Sequence, residues 1–477
     1  MTKTALIWFR QDLRLSDNPA LLHACHEGYD IIPIYILDDE NAGKHKRGAA
    51  SKFWLHQSLK SLNQSFDNKI IFRNGDAREI IPALIEETGA DAVFWNRCYE
   101  PWRIARDKII KDGLKDNDIE IQSFNGSLLW EPWEVAKKDG APYKVFTPYY
   151  RKGCLVVKTP ESPQPAPKSM SFAAHSAALQ SVDDLNLMPD INWHGGMEEF
   201  WEFGEAAAQK RLADFVEDGL AGYKDDRNRP DMNNVSRLSP YLHNGEVSSR
   251  QAWEAAHAAA HTHNVPERDV DHFCSELGWR EFSYYLLYHW PEMTWKNLQT
   301  KFDKFPWIED ETEELERWRR GKTGIPIVDA GMRQLWQTGW IHNRVRMVVA
   351  SLLVKNLLTH WHRGEEWFWD TLVDADLANN SASWQWVAGS GADAAPYFRI
   401  FNPLTQGEKF DPNGDYVRKY VPELRHMPDK FLHKPWEAPD EIFQGAGIKR
   451  GVDYPNPIVD LKASRQRALD ALATTKS

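Results

Sequence analysis

An α/β domain followed by a mainly helical one is the fold class predicted by three observations. Four short apolar runs before Arg97 alternate with helical patterns; beyond Phe200 the pattern is helical, with no further run of strands; and a chain of 477 residues exceeds the roughly 250–300 at which a single core stops growing. The runs TALIWF (4–9), IIPIYIL (31–37), IIFR (70–73) and AVFWN (92–96) read as buried strands, separated by helices near 18–27, 50–66 and 77–89. This βαβα order predicts a doubly wound parallel sheet covered on both faces. No GxGxxG follows the first strand, where WFRQDLR stands, so the domain is Rossmann-like in outline only. TPESPQPAPKSM (159–170), rich in proline and serine, reads as an exposed connector. The predicted division is an α/β domain at 1–131, a linker at 132–200 and a helical domain at 201–477. Within the last, helical patterns run over 203–220, 249–261 and 345–361.

Composition narrows the function classes. At 42% hydrophobic and 27% charged residues the chain is ordinary for a soluble protein, and no apolar run approaches the roughly 20 residues of a membrane helix. The N-terminus lacks the pattern of a signal peptide, which implies a cytoplasmic protein. Four scattered cysteines form neither a disulfide framework nor a zinc cluster. The net charge of −11 means that any nucleic-acid site is a local basic patch on an acidic body. Of 22 tryptophans, 16 follow residue 190, a density that suggests stacking or electron transfer beyond core packing.

Gly321-Lys322-Thr323 looks like the end of a phosphate loop, but Glu316 stands where its first glycine is required. His360 and His362 diverge on a helix and lack further ligands, so no metal site is expected. From Leu315 to Met347 seven basic residues (Arg317, Arg319, Arg320, Lys322, Arg333, Arg344, Arg346) face two acids (Glu316, Asp329), with tryptophans such as Trp336 and Trp340 interleaved. That mixture suits phosphates and stacked bases, or a solvated helix face over buried rings. In SELGWREF, Glu276, Trp279 and Arg280 fall at i, i+3 and i+4 of a helix, a face for a planar hydrogen-bonding ligand or a simple ion pair beside a core ring. In DADLANNSASWQW, a continuous helix from Asp376 aligns Asp376, Asn380 and Trp384, and Trp386, two residues further, projects elsewhere.

WFRQDLRLSDNPAL (8–21), SRLSPYL (236–242), ELGWREF, WRRGKTGIPIVDAGMRQL (318–335), GWIHNRVRM (339–347), DADLANN and WQWVAGSGADAAPYFRIFNP resemble the photolyase/cryptochrome flavoproteins, in that family's order, from about residue 4 to 430. The resemblance implies an α/β domain carrying an antenna chromophore and a helical domain holding FAD, active as FADH−. Tyr223, Val235, Ser236, Arg237, Leu238 and Ser239 then cradle the phosphates, with valine at 235 where relatives often carry threonine. Arg346, Asp374, Ala375 and Asp376 belong to the same cofactor site, and Asn380 faces the flavin's N5. Trp384, Trp361 and Trp307 match the family's electron relay. Trp279, Arg280 and Trp386 match the substrate pocket, in which Glu276 hydrogen-bonds the damaged bases. Arg227, Arg344, Arg399 and Lys409 match positions that contact DNA phosphates.

Asn343 and Met347 stand where the (6-4) photolyases carry two histidines, and Asn380 where plant cryptochromes carry aspartate. The pattern therefore resembles class I cyclobutane pyrimidine dimer photolyases, monomeric enzymes acting on UV-damaged DNA without an obligate protein partner; the alternative is a cryptochrome-type blue-light receptor. Trp102 and Arg103 replace the asparagine–glutamate pair of folate-binding relatives. Methenyltetrahydrofolate, a deazaflavin or a second flavin remain the candidates for the antenna.

Overall fold

The computed structural model describes residues 2–394 and 398–475. Ala395, Pro396 and Tyr397, inside the matched segment WQWVAGSGADAAPYFRIFNP, lie outside the described residues. The chain divides into two compact units. The first comprises Met1–Ala221, Ser236–Pro291 and Val373–Ala378; the second comprises Gly222–Val235, Glu292–Leu372 and Asn379–Ser477.

The first unit opens with β1 (Thr4–Phe9), α1 (Pro19–His26), β2 (Asp30–Leu37), α2 (Ala49–Ser65), β3 (Ile71–Asn74), α3 (Ala77–Thr88), β4 (Ala92–Asn96), α4 (Pro101–Gly113) and β5 (Glu120–Phe124). The sheet order is β3-β2-β1-β4-β5 and every neighbouring pair is parallel, with Thr4 opposite Asp30 and Ala5 opposite Ala92. Because successive strand residues point to opposite faces, the apolar runs build two cores. Ala5, Ile7, Phe9, Ile31, Tyr35 and Phe94 pack with Leu21, Leu55 and Leu59. Leu6, Trp8, Ile32, Ile34, Val93 and Trp95 pack with Ile81, Leu84 and Ile110.

The fifth strand was not legible in the sequence. EIQSF carries charged and polar side chains because β5 is an edge, half-buried along its length. The connector at 159–170 is largely exposed, as its composition implies, but it is tied down where Asp17 N–H donates to the Gln164 carbonyl at 2.7 Å. The same unit holds the Glu205–Asp214, Ser239–Asn244, Ser249–Thr262 and Glu267–His289 helices.

The second unit is helical. The single helix expected over 345–361 is two: Asn343–Ser351 runs into a wide turn at Leu352–Asn356, Leu358 takes φ +59, and a new helix spans Trp361–Thr371. A left-handed leucine ends a helix, since its Cβ crowds the following carbonyl there. Thr359 instead bridges to Ile308. The opening end of the Leu377–Ala388 helix likewise lies one residue after Asp376, which stands outside it.

Candidate functional site

In the first unit, the Asp376 carboxylate accepts from the Tyr284 hydroxyl and lies 3.3 Å from His243 Nδ1. Burial disfavours its charge, but these two partners and the charge of Arg280 outweigh burial and hold the carboxyl well below the usual carboxylate range. Asp376 is therefore a fixed acceptor. Ser236 precedes Arg237, whose φ of +52 is rare for a residue with a Cβ. Arg211 Nε donates to the Ser236 carbonyl at 2.8 Å, and Arg237 lies 5.2 Å over the Phe200 ring. The hydroxyls of Ser236 and Ser239 and the Arg237 guanidinium are donors of the kind phosphates accept from, and the ionised Asp376 is an acceptor for a ring N–H or hydroxyl, chemistry that FAD offers. Asp374 and Ala375 are buried beside Asp376 in the chain, and Leu238 is buried too.

On the Glu267–His289 helix, Trp279 stacks on Phe146 with centroids 3.8 Å apart and planes within 12°. Phe146 thus covers one indole face. Glu276, half-buried, has His272 Nε2 at 3.9 Å. Arg280, expected among the substrate contacts, donates at 3.1 Å to each of the Ser127 carbonyl, Ser249 Oγ and Glu281 Oε1. Glu281 in turn accepts from the backbone N–H of Leu129 at 2.8 Å and of Trp130 at 3.3 Å. Burial pushes its carboxyl up to about 7 against these donors. Glu246, fully buried, accepts from Trp54 Nε1 at 2.9 Å, Ser58 Oγ at 2.7 Å and Gly204 N–H at 2.7 Å, and burial again pushes it up to about 7. Glu281 lies inside SELGWREF but was not singled out there, and Glu246 lies in no such motif; their partners lie up to 192 residues away, so no local signal marks either as a buried acid.

In the second unit, Arg319, Arg320 and Arg333, among the seven basic residues of the stretch 315–347, pair with acids, two of which lie outside it. Arg319 pairs with Glu311 at 2.6 Å, Arg333 with Glu423 at 2.7 Å, and Arg320 with Glu316 at 2.5 Å. Trp318 and Trp340 are buried, and exposed Trp336 stacks on Trp367 at 6.1 Å. Of the two readings of this stretch, the solvated, ion-paired helix face over buried rings therefore holds for Arg319, Arg320 and Arg333. What remains is a cluster at Arg344, which donates to Asn228 Oδ1 at 2.6 Å and lies 4.5 Å over Phe410. Burial lowers its pKa, and the charges of Arg227 and Arg399 lower it further. Three of the four residues matched to DNA contacts are therefore electrostatic neighbours; the fourth, Lys409, lies 5.1 Å over the same Phe410 ring. Asn343 and Met347 stand one turn apart on the Asn343–Ser351 helix, exposed and half-buried, and Arg346 Nε donates to the Ile341 carbonyl at 2.8 Å. Tyr223 is buried with Arg227 5.6 Å over its ring, and Val235 is half-buried.

The tryptophans of the second unit separate as helical geometry requires. On the Leu377–Ala388 helix Trp384 is 2% exposed, whereas Trp386 is half-buried. Trp384 meets Phe368 at 5.0 Å and Trp318 at 6.3 Å, both edge-on. Asn380 Nδ2 donates to the Glu365 carbonyl at 3.0 Å, which leaves Oδ1 as the atom able to accept. The two outer residues of the expected relay are joined by a histidine that the sequence did not single out for this: the His360 ring lies 5.3 Å from Trp307 and 5.6 Å from Trp361. Burial lowers the His360 pKa, keeping the ring neutral. His360 and His362 do not diverge; their rings are 4.4 Å apart, because His360 caps the helix and its Nδ1 accepts from the His362 N–H at 3.2 Å. Among the described residues no group of three or more His, Cys, Asp or Glu is placed to hold a metal, and no helix is long and apolar enough to cross a membrane.

A separate pocket opens in the first unit beyond the carboxyl ends of β1 and β2, the position where ligands bind in open α/β sheets. Its interior is small, about 30 Å³, and is lined by Arg10, Asp38, His45, Arg47, Trp102, Arg103 and Arg106 among others. Arg106 lies 4.6 Å over Trp8 and 5.1 Å over Trp102, and Arg10 and Arg106 both pair with Asp107, at 2.5 and 2.7 Å. Burial, with Lys44 nearby, pushes His45 down to about 4, so the positive charge of this wall comes from its arginines.

Two family models match the chain: "DNA photolyase" over residues 5–168 and "FAD binding domain of DNA photolyase" over 273–474. The deoxyribodipyrimidine photo-lyase of Agrobacterium fabrum is 46% identical over 479 residues, covering 100% of this chain and 98% of that one. Cryptochrome-2 of Arabidopsis thaliana is 37% identical over 490 residues, covering 100% and 80%. Among solved structures, a bacterial class III photolyase from Agrobacterium tumefaciens superposes with a TM-score of 0.95 at 46% identity, covering 100% of this chain and 98% of that one. An archaeal photolyase from Sulfolobus tokodaii, described with two FAD molecules, superposes with a TM-score of 0.80 at 29% identity, covering 98% and 99%. With relatives this similar along its whole length, an FAD-binding domain in its C-terminal part and a parallel sheet at its start, the chain belongs to the photolyase/cryptochrome family.

Proposed function

We propose that this chain is a deoxyribodipyrimidine photo-lyase, a light-dependent repair enzyme that binds UV-damaged DNA and splits cyclobutane pyrimidine dimers. The observation that carries this reading is the cluster of Arg227, Arg344 and Arg399, cations held in mutual repulsion on a chain of net charge −11. Like charges gathered in this way repel one another, and a phosphate backbone relieves that repulsion. The sequence pattern pointed to class I, whereas the 46% full-length match to a class III photolyase supports class III for this chain.

FAD, when bound in its reduced form, supplies the light-driven electron transfer that opens the dimer. The residues proposed to hold it are Tyr223, Val235, Ser236, Arg237, Leu238, Ser239, Arg346, Asp374, Ala375, Asp376 and Asn380. Asp376, kept ionised, accepts from hydroxyl or ring N–H groups, and Asn380 offers its Oδ1. Glu276 hydrogen-bonds the lesion, Trp279 and Trp386 pack against its rings, and Arg280, Asn343 and Met347 complete the wall. A dimer is already poorly stacked, so extruding it costs less than the few kcal/mol of an intact base, which favours the lesion over normal DNA. Arg227, Arg344, Arg399 and Lys409 grip phosphates. Trp307, Trp361 and Trp384 carry electrons inward from the surface. In functional terms, 1–131 bears the antenna, 132–200 links and 201–477 carries flavin and DNA.

For the antenna, the arginines that line the pocket would offer an anionic chromophore their charge. The archaeal neighbour described with two FAD molecules supports a flavin among methenyltetrahydrofolate, deazaflavin and flavin; release and identification of the bound chromophores decides. The division of labour between the two neighbouring tryptophans tests the reading. Trp384→Phe should impair photoreduction but spare repair by pre-reduced enzyme, whereas Trp386→Ala should weaken binding to dimer-containing DNA. One shared defect for both changes would contradict it.

A further inference from the structure

Resting on the relay proposed above, we infer that Asn297, with Asp303 behind it, is a positioning residue that stabilises positive charge on Trp361 as that charge travels along the relay. Trp361 is fully buried, and its Nε1–H donates to Asn297 Oδ1 at 3.0 Å. Asn297 Nδ2–H donates in turn to Asp303 Oδ1 at 2.7 Å. Asp303 is exposed on the Thr300–Lys304 turn. The outer ring, Trp307, takes its acceptor from the same turn, but there it is the neutral Phe302 carbonyl at 3.1 Å. The acceptors of the two rings therefore differ: a carboxylate stands behind that of Trp361, whereas that of Trp307 is a backbone carbonyl.

The chemistry of one-electron oxidation gives that difference its effect. When Trp361 gives an electron to the vacancy left on Trp384, its ring becomes a radical cation and its N–H a far stronger donor. The hydrogen bond to Asn297 strengthens with it, more so because Asp303 polarises the amide toward a more negative Oδ1. The vacancy is later filled from Trp307, and Trp307 from an external thiol. Asn297 cannot take the proton as a carboxylate could, so charge is stabilised in place rather than discharged. Neutral His360, 5.6 Å away, adds no opposing charge.

Asp303→Asn keeps a hydrogen-bonding side chain of the same size and removes the charge; being exposed, the position tolerates it. Two readouts follow. In protein labelled with ¹⁵N-tryptophan, the Trp361 indole N–H proton resonance should move upfield in Asp303→Asn and further in Asn297→Leu, whatever the state of the cofactor. In a Trp307→Phe background, where the charge stops at Trp361, transient absorption after a flash should show the tryptophan radical recombining about fivefold faster in Asp303→Asn, the ratio expected when a charge-assisted hydrogen bond becomes a neutral one. Asp303→Glu should restore the slower decay. An unchanged resonance and an unchanged lifetime overturn the inference while leaving the relay intact, provided that Trp361→Phe abolishes the long-lived radical. If Trp361→Phe leaves that radical unaltered, the relay reading itself fails and this inference with it.

Discussion

Gly364 gives the most direct structural handle on the buried tryptophan. It lies inside the Trp361–Thr371 helix, and a Cβ added there would overlap Cη2, Cζ3 and Cζ2 of Trp384. In an open helix, Gly→Ala stabilises by about 1 kcal/mol. Here the indole has nowhere to retreat: Phe368 and Trp318 close two sides, and Trp318 is itself fully buried and pinned through its Nε1–H to the Val349 carbonyl at 3.0 Å. Overpacking of this kind costs about 1–3 kcal/mol, so Gly364→Ala should be net destabilising, by up to about 2 kcal/mol once the helical gain is subtracted. Because the displaced ring is the innermost of the relay, flavin photoreduction should slow as well. The assay is the urea midpoint of the variant together with its photoreduction rate. A double variant with Trp384→Phe separates clash from helix propensity: the smaller ring makes room, and Gly364→Ala should there become neutral or stabilising. If Gly364→Ala alone stabilises the protein and leaves photoreduction unchanged, the packing argument is wrong.

Three other expectations rest on named groups. Arg344→Ala and Arg399→Ala should each weaken binding to dimer-containing duplex DNA and reduce the slope of log K against log salt by about 0.9 for each phosphate no longer neutralised, read by fluorescence anisotropy; an unchanged slope removes that residue from the DNA interface. Tyr284→Phe takes a donor from Asp376, whose depressed pKa stabilises the fold above the unfolded carboxylate value and ceases to do so as pH falls through the folded one. The variant should lose about 1–3 kcal/mol at neutral pH and unfold in acid at a higher pH, whereas an identical acid transition would show that Tyr284 does not hold that charge. Glu246 has the opposite sign: with its folded pKa near 7 and an unfolded value near 4.5, the folded state holds a proton that the unfolded state has lost, so stability falls as pH rises between them. Glu246→Gln should flatten that fall, by up to about 3 kcal/mol between pH 5 and 7.5, and an equally steep profile in the variant would locate the effect elsewhere.

How far the sequence reaches depends on the range of the interaction it has to encode. Strands β1 to β4 were legible because each carries apolar residues into the two cores, even β3 at one edge; β5, the other edge and half-buried along its length, carries no such run. The helix over 345–361 looked continuous because every side chain in it suits a helix; its break lies in the left-handed Leu358 and the bridge of Thr359 to Ile308, which no local pattern encodes. The basic stretch left two readings open for a related reason, as Glu311 and Glu423, which pair with its arginines, lie outside its bounds in the chain. Motif residues such as Asp376, Asn380 and Trp384 were legible individually. Their partners, His243 and Tyr284 for Asp376, Glu365 for Asn380, Phe368 and Trp318 for Trp384, come from other elements and required the fold. His360 between Trp307 and Trp361 was legible only as half of an HxH pair.

Light-driven repair of DNA is tested most directly on the purified protein. Carrying reduced FAD, mixed with DNA containing cyclobutane pyrimidine dimers and exposed to blue light, it should remove the dimers, while the same mixture in the dark leaves them intact. Dimers that persist under illumination, in protein shown to hold its flavin and to bind the DNA, would contradict the account and turn it toward light sensing.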